Sequence, residues 1–276
     1  MATDKFYKDN QANWNDRAQI HVQSDMYRVD TYANDPTAIS DVVEFDVERI
    51  GSIEGLSVAH LQCHIGTDTI SLERLGAASV VGVDFSPQAI QAARDLAERA
   101  GSNMTFHEAS VYNAADVIGQ PVDLVYTSIG TICWLHDIDA WAAAVAGLLE
   151  PGGRFYIRDV HPLLFIFEEV DGHFVATYPY WFTADKPLTW DEDDTYSDNP
   201  ADTKITHTAH HEWNHTIGEI VNALVGAGLT IDRLDEHTEI PWPYSPSCVK
   251  HGENWLLPEP YRSRIPALFS LHATKR

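Results

Sequence analysis

The chain has 276 residues, with 18 Lys+Arg against 41 Asp+Glu and a formal net charge of −23. That balance excludes a nucleic-acid binder working through phosphate contacts, which needs a positive surface, and it disfavours anionic membranes. The 44% apolar content suits one large α/β unit, and no apolar run reaches the roughly 18 residues that span a bilayer.

Three cysteines (Cys63, Cys133, Cys248) form an odd, widely spaced set, which reads as reduced thiols. The first stretch, MATDKFYKDNQANWNDR, is polar and lacks the apolar core of a signal peptide. A cytoplasmic location is therefore expected, and a high-salt host is one expectation for the acidity.

Residues 1–55 precede the core and carry Trp14, Arg17, His21 and Tyr27. The core opens as strand, turn, helix and strand over 58–86. Segments 57–61 and 79–83 are short and rich in Val and Leu, as suits strands covered on both faces. Ile70, Leu72 and Leu75 fall near helical spacing, and Gly76 stops the helix. Asp84 lies 18 residues after Gly66, at the carboxyl end of the second strand. An acid there can accept hydrogen bonds from ribose hydroxyls.

The loop between strand and helix, Gln62-Cys63-His64-Ile65-Gly66-Thr67-Asp68, has one glycine. A dinucleotide site uses G-x-G-x-x-G so that backbone can approach a pyrophosphate. Asp68 near the helix start would also repel a diphosphate. A phosphate-free ligand with a positive sulfonium, S-adenosylmethionine, tolerates this loop better than NAD does.

A third strand is expected over 103–109, ending at Ser110-Val111, and a fourth over 122–127, running into Ser128-Ile129-Gly130. A helix over about 138–149 leads to Glu150-Pro151-Gly152-Gly153, a tight turn into a fifth strand at 154–159. Residues 161–215 form an insertion rich in aromatic residues, with 178–183 and 203–213 expected to be extended. A helix over 218–226, a sixth strand over 229–236, a Pro- and Trp-rich loop at 241–260 and a last strand at 267–274 complete the pattern.

VVGVDFSPQAIQAAR (80–94), LLEPGGRFYI (148–157) and the HLQCHIG loop (60–66) together resemble class I S-adenosylmethionine-dependent methyltransferases of the small-molecule type. The resemblance covers about 56–160 well and the C-terminal region more weakly. The family's first motif usually resembles LDLGCGTG. Here Gln62 and His64 replace two glycines, and His60 replaces the usual acid.

The resemblance implies a Rossmann-like seven-stranded α/β sheet with helices on both faces and an antiparallel last strand. It implies an N-terminal helical lid (1–55) and a methyltransferase domain (56–276) with an aromatic-rich cap inserted after the fifth strand (161–215). The cofactor implied is S-adenosyl-L-methionine, leaving S-adenosyl-L-homocysteine as product. Gln62, Cys63, His64 and Gly66 would meet its methionine end. Asp84, Phe85 and Ser86 would meet its ribose, and Ser110 and Val111 its adenine, with Ser128 and Ile129 alongside.

The acceptor expected is a nitrogen or oxygen of a small, partly apolar molecule. Trp14, Arg17, His21, Tyr27, Trp134, Tyr180, Trp181 and His211 would line its pocket. His161, at the end of the fifth strand, is the best-placed general base. A monomer or homodimer without nucleic-acid or membrane partners is expected.

His211-Glu212-Trp213-Asn214-His215 matches H-E-x-x-H, whose zinc chemistry needs both histidines on one helical turn. Thr216-Ile217-Gly218-Glu219 is a capping box that starts the helix after them. In an extended chain, residues four apart lie roughly 13 Å from each other, too far to share one ion, so no metal is expected. The rival readings are a zinc hydrolase on that stretch, a dinucleotide oxidoreductase, and a non-catalytic S-adenosylmethionine-binding protein.

Overall fold

The computed structural model describes residues 2–276. In chain order it runs α1 (Ala2–His21), α2 (Val29–Asn34), α3 (Asp41–Ile50), β1 (Ser57–Leu61), α4 (Thr67–Arg74), β2 (Ser79–Asp84), α5 (Pro87–Ala100), β3 (Thr105–Glu108), α6 (Ala114–Ile118), β4 (Val122–Thr127), α7 (Ile138–Leu148) and β5 (Leu149–Val160). Then come β6 (Phe167–Val170), β7 (His173–Ala176), β8 (Leu188–Asp191), β9 (Ala209–Glu212), α8 (Ile217–Gly226), β10 (Leu229–His237), β11 (Glu239–Ile240), β12 (Val249–His251), β13 (Asn254–Leu256) and β14 (Leu268–Lys275).

Seven strands form one sheet in the order β10-β14-β5-β4-β1-β2-β3, with β14 antiparallel to both neighbours. Their Val-, Leu- and Phe-rich stretches are buried because both faces are covered. Trp141, Val145, Ile220 and Leu224 of α7 and α8 pack on one face around Phe155. Val43, Ile50 and Leu72 of α3 and α4 pack on the other, against Tyr126 and Tyr156. The chain leaves the sheet centre in one direction after β1 and returns to the other side at β4. That switch opens a crevice at the carboxyl ends of β1 and β4, where open α/β sheets bind ligands.

Local signals fixed several boundaries. Ser86 caps α5 by accepting from the Ala89 N–H, and Pro87 follows at the first helical position. The Thr216–Glu219 capping box is formed in both directions and starts α8. The turn expected at 150–153 lies inside β5, because Leu149 already pairs with Val122 ahead of a register shift. Gly153 is required there, since a Cβ would sit 2.9 Å from the Glu150 carbonyl oxygen.

The insertion departs from expectation. Residues 178–183 form no strand and make only an isolated bridge between Thr183 and Lys186. Of 203–213, only Ala209–Glu212 is a strand, paired antiparallel with β8. The preceding backbone is held by α1 instead: Asp16 accepts from the N–H groups of Thr206 (2.6 Å) and His207 (2.9 Å). The loop expected at 241–260 contains the β12–β13 hairpin, turning at Gly252 with φ +59°. No helix among the described residues is long and apolar enough to cross a membrane.

Candidate cofactor and acceptor site

A cleft opens at the carboxyl ends of β1, β2 and β4. Asp84 stands at its wall. Its carboxylate accepts from the backbone N–H groups of His64 and Ser86, both at 2.9 Å. Burial, only partly offset by those bonds, raises its pKa from 3.8 to about 6. Gln62, Phe85, Ser110 and Val111 line the same cleft, as does Trp134. The five cofactor residues and Trp134 therefore meet in one place.

The other expected cofactor residues support the cleft from behind. The buried Cys63 thiol faces the Gly82–Phe106 side and belongs to a core cluster. Gly66 adopts φ +84°, and a Cβ on it would lie 2.9 Å from that of Ala93, so it lets the loop close against α5. The Ser86 hydroxyl donates to Asn15 at 2.7 Å, joining α5 to α1. The Ser128 hydroxyl donates to Asp68 at 3.1 Å, and Ile129 packs in the core under the C-terminal loops.

His64 does not line the cleft. Gln62 and His64, at the positions of two family glycines, have φ +55° and +49°. The backbone keeps a glycine-like shape while the side chains add contacts. The Gln62 amide donates to the Thr131 carbonyl at 2.8 Å. The His64 ring meets His21 through a 2.8 Å N···N hydrogen bond and packs edge-on to Trp14 and Tyr27. Burial, helped by the charge of Arg17, lowers the His64 pKa to about 3.

Four side chains expected around the acceptor thus cluster: Trp14, Arg17, His21 and Tyr27. Trp134 joins them, packing edge-on to Trp14 with ring centroids 5.1 Å apart. The other acceptor-pocket expectations are corrected. Trp181 is 75% exposed and packs edge-on to Tyr180. The Tyr180 carbonyl accepts from Asn214, tying down the cap. The His211 ring bonds Asp9 and Thr189, both at 2.9 Å, and its backbone is gripped at both N–H and C=O by Asn10. His211 is therefore the rivet between cap and α1.

His161 is likewise committed elsewhere. Its Nε2 pairs with Glu236 at 3.0 Å and its Nδ1 accepts from the Leu163 N–H at 3.1 Å. It does not line the cleft and is withdrawn as the base. The two histidines of the H-E-x-x-H stretch also diverge: His215 bonds the Leu135 carbonyl at 2.7 Å, while His211 faces Asp9.

Sequence patterns missed Tyr7, Asn10, Val83, Tyr112, Leu135 and Trp213, which line the cleft together with His136. Tyr7, Asn10, Trp14, Arg17 and His21 follow one another at three- and four-residue steps, and this helical stripe was the available signal. Asp159 was missed as an organiser. It accepts from Gly130 (2.7 Å), Thr131 (2.9 Å) and Ile132 (3.0 Å), shaping the loop that delivers Trp134 and Leu135.

Comparison with known proteins agrees with this geometry. Residues 59–155 match the family model described as a methyltransferase domain. The ribosomal protein L11 methyltransferase of Xanthomonas campestris is 31% identical over 132 residues, covering 48% of this chain and 39% of the relative. That of Photobacterium profundum is 29% identical over 124 residues, covering 45% and 38%. The chain thus spans well under half the length of these curated relatives.

An S-adenosylmethionine-dependent methyltransferase from Mesorhizobium loti shares the fold with a TM-score of 0.54 at 17% identity, covering 82% of this chain and 93% of that one. One from Clostridium acetobutylicum gives 0.53 at 15%, covering 85% and 89%. Fold and matched domain together are those of an open α/β sheet with its crevice at the switch between β1 and β4. Residues 59–155 are thus similar to a methyltransferase domain, and the chain shares the fold of S-adenosylmethionine-dependent methyltransferases.

Proposed function

We propose that the chain transfers the methyl group of S-adenosylmethionine to a nitrogen or oxygen of a small, partly apolar molecule. The observation that carries this is the enclosure of the Asp84 cleft. Tyr7 and Asn10 of α1 and Trp213 of the cap line it together with the sheet-edge residues. An extended macromolecular segment has little room beneath that cover.

The residues present suit the cofactor. The Asp84 carboxylate is ready to accept from ribose hydroxyls. Ser110 and Val111 stand where the resemblance puts adenine. Two buried polar atoms near the loop, Gln62 Oε1 and Trp14 Nε1, have no partner among the described residues. When bound, the cofactor supplies an electrophilic methyl group. The chain's own part is to align the acceptor and exclude water, through α1, the cap and the Trp14–Trp134 pair.

The curated relatives are named for a ribosomal protein acceptor, which is the competing reading. The likeness to them spans under half of this chain, and the net charge of −23 opposes docking on an RNA-rich particle. Incubation with methyl-tritiated S-adenosylmethionine and fractionated cell extract separates the two. Label in the small-molecule fraction is expected. Label confined to ribosomal protein would overturn the acceptor assignment.

A further inference from the structure

A second cavity lies away from the cofactor cleft, where the end of α3 meets β5, β14 and β10. Arg49, Arg154, Arg233 and His272 line it, and Asp232 is the one acid among the lining residues. In a chain with 18 Lys+Arg against 41 Asp+Glu, such a site runs against the overall charge.

Strand register brings these groups to one face. His272 of β14 pairs with Tyr156 of β5 on one side and with Arg233 of β10 on the other. Directly paired residues share a face of the sheet, and Tyr156 packs toward α3. Arg154, two residues before Tyr156, shares that face. In β10 the arrangement depends on a bulge. Ile231 pairs with Ala273 and Arg233 with His272, which leaves Asp232 as the extra residue. Under regular alternation Arg233 would point to the α8 side, as Ile231 does. The bulge turns the arginine to the α3 side instead. The Asp232 carboxylate is occupied by the Thr274 hydroxyl, which donates to it at 2.6 Å.

The donors retain capacity for a ligand. Arg233 meets Asp235 through Nε at 2.5 Å, and its side chain is 67% exposed. Its Nη groups have no partner among the described residues. Arg49 donates one Nη to the Phe45 carbonyl, and Arg154 donates to the carbonyls of Ile50 and Ser52, both at 2.9 Å. Neither forms an ion pair among the described residues. The His272 ring packs edge-on to Tyr156 at 4.8 Å, and its Nε2 is buried with no partner. A buried polar atom left open in this way marks a place for a ligand.

We infer that this cavity binds a phosphate-like dianion, held by the guanidinium groups of Arg49, Arg154 and Arg233 and by Nε2 of His272. Several guanidinium groups around one site suit a tetrahedral oxyanion with two charges. His272 couples the site to pH. Burial and then the Arg233 charge lower its pKa from 6.5, against Asp235, Asp232 and Asp46, which raise it. The free ring is therefore neutral at pH 7, and a bound dianion favours its protonated form. Binding takes up a proton and tightens as pH falls.

Calorimetric titration of the full chain, at ionic strength held constant with sodium chloride, tests this independently of methyl transfer. The probes are sulfate, inorganic phosphate and glycerol phosphate. Sulfate keeps both charges between about pH 8 and 6, so its pH response reports the protein alone. Saturable sulfate binding is expected, tightening about five- to tenfold over that range. Arg233→Gln alters an exposed side chain and should weaken sulfate about tenfold. Asp235→Asn removes the competing carboxylate and should strengthen it. His272→Gln should flatten the pH response. Tighter binding of inorganic phosphate than of glycerol phosphate assigns the free ion, and the reverse assigns a phosphorylated small molecule.

Absence of saturable binding above the chloride background overturns the inference. So does wild-type sulfate affinity in Arg233→Gln, weaker binding in Asp235→Asn, or a pH response that survives in His272→Gln. Cooperative unfolding of each variant is checked first.

Discussion

Two buried arginines differ in how their charge is answered. Arg158, 1% exposed on β5, is paired with Asp46 of α3, with Nε 2.6 Å from the carboxylate. Asp46 also accepts from the hydroxyls of Tyr126 (2.6 Å) and Tyr156 (2.5 Å), so every charge there has an answer. Arg17, nearly as buried, meets only neutral groups. The first arrangement locks α3 onto the sheet. The second holds the guanidinium by hydrogen bonds to Asn13 and Thr195, without an ion-pair partner among the described residues.

Breaking the satisfied site should have the largest effect. Asp46→Ala strands a buried guanidinium and two hydroxyls, and should cost about 3–5 kcal/mol in denaturant unfolding. Arg17→Met should change stability by less than about 1 kcal/mol, because it removes a buried charge that has no ion-pair partner. Comparable losses in the two variants would erase the distinction.

His64→Gly comes next and probes the strained loop between the two. Glycine at φ +49° relieves about 1 kcal/mol of backbone cost. It also deletes a buried ring contacting Trp14, Tyr27 and His21, a loss of about 2–4 kcal/mol. Net destabilisation is expected in urea unfolding. A gain would mean that the histidine cluster adds little to the fold.

The smallest effect is a pH dependence. Burial raises Asp84 from 3.8 to about 6, so the folded state favours its protonated form. Its contribution to stability is full below pH 3.8, falls as pH rises, and is gone above about 6. Ligand binding runs the other way, because ribose hydroxyls need the ionised carboxylate as acceptor. The affinity for S-adenosylhomocysteine should therefore rise through about pH 6 and flatten in Asp84→Asn. A wild-type affinity unchanged across that range would remove Asp84 from the ribose site.

How much of this was legible in the sequence depended on sequence distance. The strands leading to Asp84 and Ser110 and the capping box at Thr216 are set by neighbouring residues, and the pattern showed them. Asn10 reaches His211 across 201 positions, and Gln11 reaches Phe85 across 74. No local pattern encodes such folding-back. That is why Tyr7, Asn10 and Trp213 were missed in the cleft while Trp181 was misplaced into it. His161 looked free because its partner, Glu236, comes from a strand much later in the chain. The substitutions at Gln62 and His64 were visible, but their meaning required the positive φ angles and the His21 contact.

The most direct test of the central claim is calorimetric titration of the full chain with S-adenosylhomocysteine, at low and high salt, beside Asp84→Ala. The account predicts micromolar binding by wild type. The variant should bind about 30- to 100-fold more weakly, as expected when charge-assisted hydrogen bonds worth about 2–3 kcal/mol are removed. A folded wild-type protein that binds nothing at either salt would contradict it, and would mean that the Gln62–His64 loop has abandoned the cofactor.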